Sequence, residues 1–124
     1  MVKRVPSSNP VMEKPHPTTT LPLIVTDGGG MHIRPSINLA QAVNTFFPIR
    51  AFDVLLRYGP KNEKTANPRN NWDLQMTKMP YGDDAFLDIT PTRTEQINAE
   101  TLKEFEIALR VTGVAVKRRN ETIT

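Results

Sequence analysis

Apolar residues in this chain follow two spacings, short runs with strand character and longer stretches with a helical repeat, with turn residues between them. Leu21 to Thr26 is predicted as a buried strand with Leu23, Ile24 and Val25 at its centre. From about Arg34 to Phe47, Ile37, Ala40, Val43 and Phe47 recur at helical spacing, and Leu39 and Phe46 widen the stripe. Asn38, Gln41, Asn44 and Thr45 then face outward, Pro35 suits the first turn, and Pro48 ends the helix. Ala51 to Tyr58 sets Phe52, Val54 and Leu56 against Asp53, Leu55 and Arg57, an imperfect alternation that predicts a second strand. Gly59-Pro60-Lys61-Asn62 is turn chemistry, and Glu63 to Ala66 reads as a short returning strand.

Asn70 or Asn71 supplies a cap for a short helix on which Trp72, Met76 and Met79 fall on one side. Tyr81-Gly82-Asp83-Asp84 is a turn leading into a strand through Ile89. The last helix spans about Thr94 to Val111, capped by Thr94 or Asn98, with Ala99, Leu102, Phe105, Ala108 and Leu109 on its apolar face. Glu95, Glu100, Glu104 and Glu106 take the polar side, the negative charge enriched toward the N-terminus as the helix dipole favours, and Gly113 is a stop. Strand, helix, strand, strand, helix, strand, helix is an α+β order that suits a mostly antiparallel sheet with helices on one face.

Composition narrows the class. A length of 124 residues suits one domain. Four prolines and the Thr18-Thr19-Thr20 run mark residues 1–20 as a flexible or extended arm, and 113–124 as a short tail with Lys117-Arg118-Arg119, leaving 21–112 for the folded domain. There is no Cys, which excludes disulfides and thiolate metal sites. No apolar run approaches the ~20 residues of a membrane span, and Met1 to Pro6 lacks the apolar core of a secretory signal, so a cytoplasmic location is expected. Asn120-Glu121-Thr122 matches a glycosylation acceptor and is read as chance in that setting. The net charge of +3 sits near the two ends, without an aromatic or helical element to read bases, which argues against a nucleic-acid partner. His16, between two prolines, is read as a solvated histidine rather than a second phosphosite or metal ligand. Asp83, Asp84 and Asp88 lack the spacing of a calcium loop and are read as a solvated turn. Neither a metal nor a cofactor is expected.

The chemistry concentrates in Gly28-Gly29-Gly30-Met31-His32-Ile33-Arg34-Pro35-Ser36. Glycines let the backbone approach a ligand closely, yet the stretch lacks the Lys-Ser/Thr of a phosphate-binding P-loop and the full dinucleotide fingerprint. It precedes a helix, whose first N–H groups have no partner within it and attract an anion. Arg34 can hold a phosphate through two parallel hydrogen bonds. The constellation reads as a histidine, His32, that receives a phosphoryl group, with Arg34 and the backbone of Gly30, Ile33 and Ser36 building the docking site for it.

Gly30-Met31-His32-x-Arg34-Pro35-Ser36 resembles the active-site motif of HPr, the histidine-containing phosphocarrier of the bacterial sugar phosphotransferase system. The resemblance continues in Gly82-Asp83 ahead of a strand and covers roughly residues 21–112. It implies an HPr-like open-faced β-sandwich, a four-stranded mostly antiparallel sheet with three helices on one face. It implies that His32 is phosphorylated at its δ1 nitrogen by an Enzyme I that draws on phosphoenolpyruvate. His32 would pass the group to an Enzyme IIA-type protein, so the chain would be a monomeric carrier rather than a self-sufficient enzyme. The short helix would lie beside the histidine, with Ile37, Trp72 and Met76 as an apolar docking patch; Trp72 reads equally well as core. Some positions depart from the family. Ile33 and Ile37 replace small residues, Gly29 stands where Asn is frequent, and the outer face of the first helix lacks the family's lysines. Asn70 falls where many members carry a regulatory serine, so control by a serine kinase is not expected. These departures leave a second reading, a regulatory module of HPr shape that uses phospho-His32 as a signal. A third, a small basic nucleic-acid binder, has only the charge behind it.

Overall fold

The computed structural model describes residues 18–92 and 97–117. The arm up to Pro17 with His16, the Thr94 cap, and the tail from Arg118 with Asn120 lie outside the described residues. The elements run β1 (Thr19–Val25), α1 (Ile33–Phe46), β2 (Phe52–Tyr58), β3 (Lys64–Ala66), α2 (Asn71–Met76), β4 (Asp84–Pro91), α3 (Ala99–Leu109) and β5 (Val114–Val116). They form one sheet in the order β3-β2-β4-β1-β5, with every neighbouring pair antiparallel.

The centre of the sheet is β4, paired on one side with β1 and on the other with β2. Its alternation is clean: Ala85, Leu87 and Ile89 are buried while Phe86, Asp88 and Thr90 turn to the opposite side. Leu23 and Val25 of β1 and Leu56 of β2 join them in the core. The apolar stripe of α1 covers that face with Leu39, Ala40 and Val43, and α3 adds Phe105 and Leu109. Phe47 closes the end of α1, its ring edge-on to Phe105 at 4.9 Å and to Phe52 at 5.5 Å. The other face of the sheet stays open and polar in part. There the Arg57 guanidinium donates to both carboxylate oxygens of Asp88 at 2.6 and 3.0 Å, and lies over the Phe86 ring.

The observed fold is therefore the expected open-faced α+β architecture, with one strand more. Val114–Val116, assigned from sequence to the tail, pairs with β1 through Leu23, Ile24 and Val25. Three residues are too short to show a period, but β1 would otherwise leave an unpaired edge, and Val114 fills the core below it. Gly113 makes the reversal from α3 possible with φ +102°. Two apolar assignments also move. Ile37 is exposed rather than part of the buried stripe of α1, and Met79 is buried while Trp72 and Met76 face outward. Asn98 caps α3 by accepting the Thr101 N–H at 2.7 Å, and Asn70 caps α2 by accepting those of Trp72 and Asp73.

Candidate functional site

The site is built where β1 runs out. The N–H groups of Thr26 and Asp27 both donate to the Gly113 carbonyl, at 2.9 and 3.1 Å, which ties the chain to the start of β5 as it enters the glycine turn. The Asp27 carbonyl then accepts the Gly30 N–H at 2.9 Å and closes the turn. Gly30 sits at φ +78°, and a Cβ there would lie 2.6 Å from the Met79 carbonyl oxygen. That oxygen accepts the Met31 N–H at 2.7 Å, and the Met31 side chain is buried. The buried methionine and its bond to the loop after α2 fix the residue next to it. His32 is consequently held at the surface as the N-cap of α1, in extended backbone, with its side chain 41% exposed.

The His32 ring does not cap the helix. Instead its Nε2 lies 2.9 Å from Asp27 Oδ1, which also accepts the Gly29 N–H at 2.8 Å. Gly29 makes this possible, because a Cβ there would meet His32 Cδ2 at 2.7 Å. The Gly29 N–H, then the His32 hydrogen bond and the nearby charges of His32 and Arg34, hold the Asp27 carboxyl below the ordinary aspartate range. An ionised carboxylate can only accept, so Nε2 carries the proton in this bond, and in the neutral ring the lone pair is then on Nδ1. Arg34 Nη2 is 3.9 Å from Asp27 Oδ2, and its side chain is 75% exposed, within reach of an incoming anion.

Not every residue expected around the phosphoryl group is available for it. The Gly30 N–H is spent on Asp27, and the Ser36 N–H donates to the His32 carbonyl at 3.1 Å as the first bond inside α1. Ser36 is also buried, and its hydroxyl has no partner among the described residues. The open donors at the helix start are thus the N–H groups of Ile33 and Arg34, since Pro35 has none. Of the expected docking residues, Ile33 and Ile37 are exposed on α1, and Trp72 and Met76 on α2, where Trp72 shows 64% of its surface. This excludes Trp72 from the core. Tyr81, in the loop next to Met79, is exposed as well and was not foreseen. Asp27 was also missed. Its only sequence signal is an acid opening a glycine turn five residues ahead of a histidine.

The acidic turn is dispersed by pairing: Asp84 meets Lys117 at 3.3 Å and Asp88 meets Arg57. Among the described residues no three acidic or histidine side chains gather around a point where an ion would sit. No described helix is long and apolar enough to cross a membrane.

No family model matches the chain, and no curated protein matches it in sequence. Solved structures do resemble it. The histidine-containing phosphocarrier protein of Mycoplasma superposes with a TM-score of 0.59 at 15% identity, over 81% of this chain and 100% of that one. The phosphocarrier protein HPr of Bacillus anthracis gives 0.53 at 17% identity, over 73% of this chain and 95% of the other. HPr-C-His of Thermoanaerobacter tengcongensis gives 0.54 at 14%, over 76% and 93%. The chain has the open-faced fold of HPr.

Proposed function

We propose that this protein is a phosphocarrier in which His32 accepts a phosphoryl group from a phosphohistidine donor of the Enzyme I type, itself charged by phosphoenolpyruvate, and hands it to an acceptor of the Enzyme IIA type. The observation that carries the reading is the placement of His32, exposed at the start of α1 with Arg34 and the open N–H groups of Ile33 and Arg34 beside it. The likeness of fold to HPr supports it.

In this reading a ring nitrogen of neutral His32 attacks phosphorus in line with the departing donor nitrogen. The transition state is loose, with its charge on the three equatorial oxygens. Catalysis is then positioning and charge stabilisation, which the Arg34 guanidinium and the helix-start N–H groups supply. The exposed apolar residues Ile33, Ile37, Trp72 and Met76 provide the surface on which donor and acceptor dock in turn, the carrier acting as a cytoplasmic monomer.

One observation favours a partner set different from that of sugar uptake. Beyond Arg34 the exposed side of α1 is uncharged, with Gln41, Asn44 and Thr45 on it, so a partner that relies on lysines there binds more weakly. A regulatory module that signals through phospho-His32 is the reading this supports, and a pull-down with phosphorylated and unmodified protein separates the two.

The test is intact mass after incubation with phosphoenolpyruvate, magnesium and a general phosphotransferase Enzyme I, for wild type and His32→Ala. The expected result is one acid-labile phosphate on the wild type alone. A wild type that stays unmodified with both a sugar-type and a nitrogen-type donor would overturn the proposal.

A further inference from the structure

We infer that Asp27 is a positioning residue for the transfer: it holds His32 as the Nε2–H tautomer, so that Nδ1 alone takes the phosphoryl group, and its charge balances the positive charge the ring then acquires. The inference rests on the carrier reading of His32 and concerns how that residue is prepared.

Four contacts fix the arrangement. Asp27 is held through its own N–H on the Gly113 carbonyl and through its carbonyl on the Gly30 N–H. Its Oδ1 is oriented by the Gly29 N–H at 2.8 Å and receives the ring at 2.9 Å. Gly113 crowds the same residue from behind, since a Cβ there would meet Asp27 Cβ and Pro35 Cγ at 3.0 Å. The carboxylate is therefore built into the turn and does not merely happen to lie near the ring. No hydrogen bond from Nδ1 is found among the described residues.

The step balances without a further proton acceptor. The Nδ1 lone pair forms the new N–P bond as the donor's N–P bond breaks, and the breaking pair returns to the donor nitrogen. His32 keeps its Nε2 proton, so the ring becomes a phosphorylated imidazolium lying against the Asp27 carboxylate. Attack through Nε2 would first require that nitrogen to lose its proton, and would then press a phosphoryl dianion against the same carboxylate. Onward transfer reverses the step, and the imidazolium leaves as a neutral ring.

The test uses the full chain, labelled with ¹⁵N, as wild type, Asp27→Asn and Asp27→Ala. Enzyme I with phosphoenolpyruvate and, separately, phosphoramidate serve as donors. Ring nitrogen shifts report the tautomer before reaction and the phosphorylated atom after it. The expected wild type shows the Nε2–H tautomer and phosphate on Nδ1 only. Asp27→Asn keeps an oxygen for the Gly29 N–H but lacks the charge, and should accept phosphate roughly ten- to a hundredfold more slowly, the loss of one charge-assisted hydrogen bond. Asp27→Ala should also place phosphate on Nε2. A wild-type ring protonated on Nδ1 overturns the inference, and so do variants that react at the wild-type rate and only on Nδ1. A wild type that takes phosphate from neither donor fails the carrier reading itself and takes this inference with it. Unchanged variants of a reactive wild type sink the inference alone.

Discussion

Met31 donates its N–H to the Met79 carbonyl at 2.7 Å, which binds the loop after α2 to the turn before α1. The same oxygen stands 2.6 Å from where a Cβ on Gly30 would lie. Gly30→Ala must therefore either part the two loops or leave the left-handed region, at a cost of about 1–3 kcal/mol from backbone strain alone. Urea unfolding should show that loss. Gly29→Ala behaves differently, because its Cβ would meet the His32 ring rather than backbone. It should lower the rate of phosphoryl acceptance more than the stability, and a mass-resolved time course alongside a melting curve separates these effects.

In the carrier reading, Arg34 should contribute to chemistry more than to folding. Its side chain is largely exposed, and its contact with Asp27 is a long 3.9 Å. Arg34→Ala should change stability by less than about 0.5 kcal/mol. The same variant should slow phosphoryl transfer roughly ten- to a hundredfold, as expected for one charged hydrogen-bond donor. Arg34→Lys should recover only part of the rate, because an ammonium cannot match two phosphate oxygens at once. Rates for the three proteins with a common donor check the order.

Ser36 is the weakest member of the proposed phosphate site. Its N–H is engaged within α1 and its buried hydroxyl has no partner among the described residues. Ser36→Ala should leave phosphoryl acceptance at the wild-type rate and hold or raise the melting temperature, since a buried unsatisfied hydroxyl costs about 1–3 kcal/mol. A slower variant would return Ser36 to the site.

In the carrier reading, exposed Trp72 is the proposed anchor of the docking surface. Trp72→Ala should fold with a stability change of less than about 0.5 kcal/mol, as an exposed position allows. Its complex with a phosphoryl donor should weaken by about 2 kcal/mol, which calorimetric titration resolves.

Acid should destabilise the protein through two aspartates. The Arg57 hydrogen bond, then that of Thr20, holds Asp88 below its ordinary value of 3.8, and the Gly29 N–H does so first for Asp27. A carboxyl whose folded value lies below its unfolded one adds stability that is complete above 3.8 and is lost as pH falls through the lowered folded value. Stability should thus be level toward neutral pH in this respect and decline below about pH 4. Asp88→Asn should flatten that acid limb and cost about 1 kcal/mol near neutrality, measured by urea unfolding across the range.

Local periodicity determined the helices and most strands. Leu39, Ala40, Val43 and Phe47 repeat on one side of a helix, and burial of that side follows from the repeat. The motif from Gly30 to Pro35 likewise announced a histidine at a helix start, because caps and prolines act on neighbours in sequence. Even in α1 and α2, spacing alone does not fix which side chains are buried. Ile37 fits the stripe in number and is nevertheless exposed, and Met79 leaves Trp72 and Met76 for the core once α2 has ended.

Tertiary structure decided the rest. A three-residue strand has no period, so Val114–Val116 became β5 only because β1 offered it an open edge and the core a place for Val114. Which N–H groups stay open to a phosphate depended on the turn, whose shape is set by Met79 and Gly113 from far along the chain. The Asp27–His32 pair depended on it too. Residues five apart in a loop have no preferred distance, and the folded turn alone brings that carboxylate to the ring.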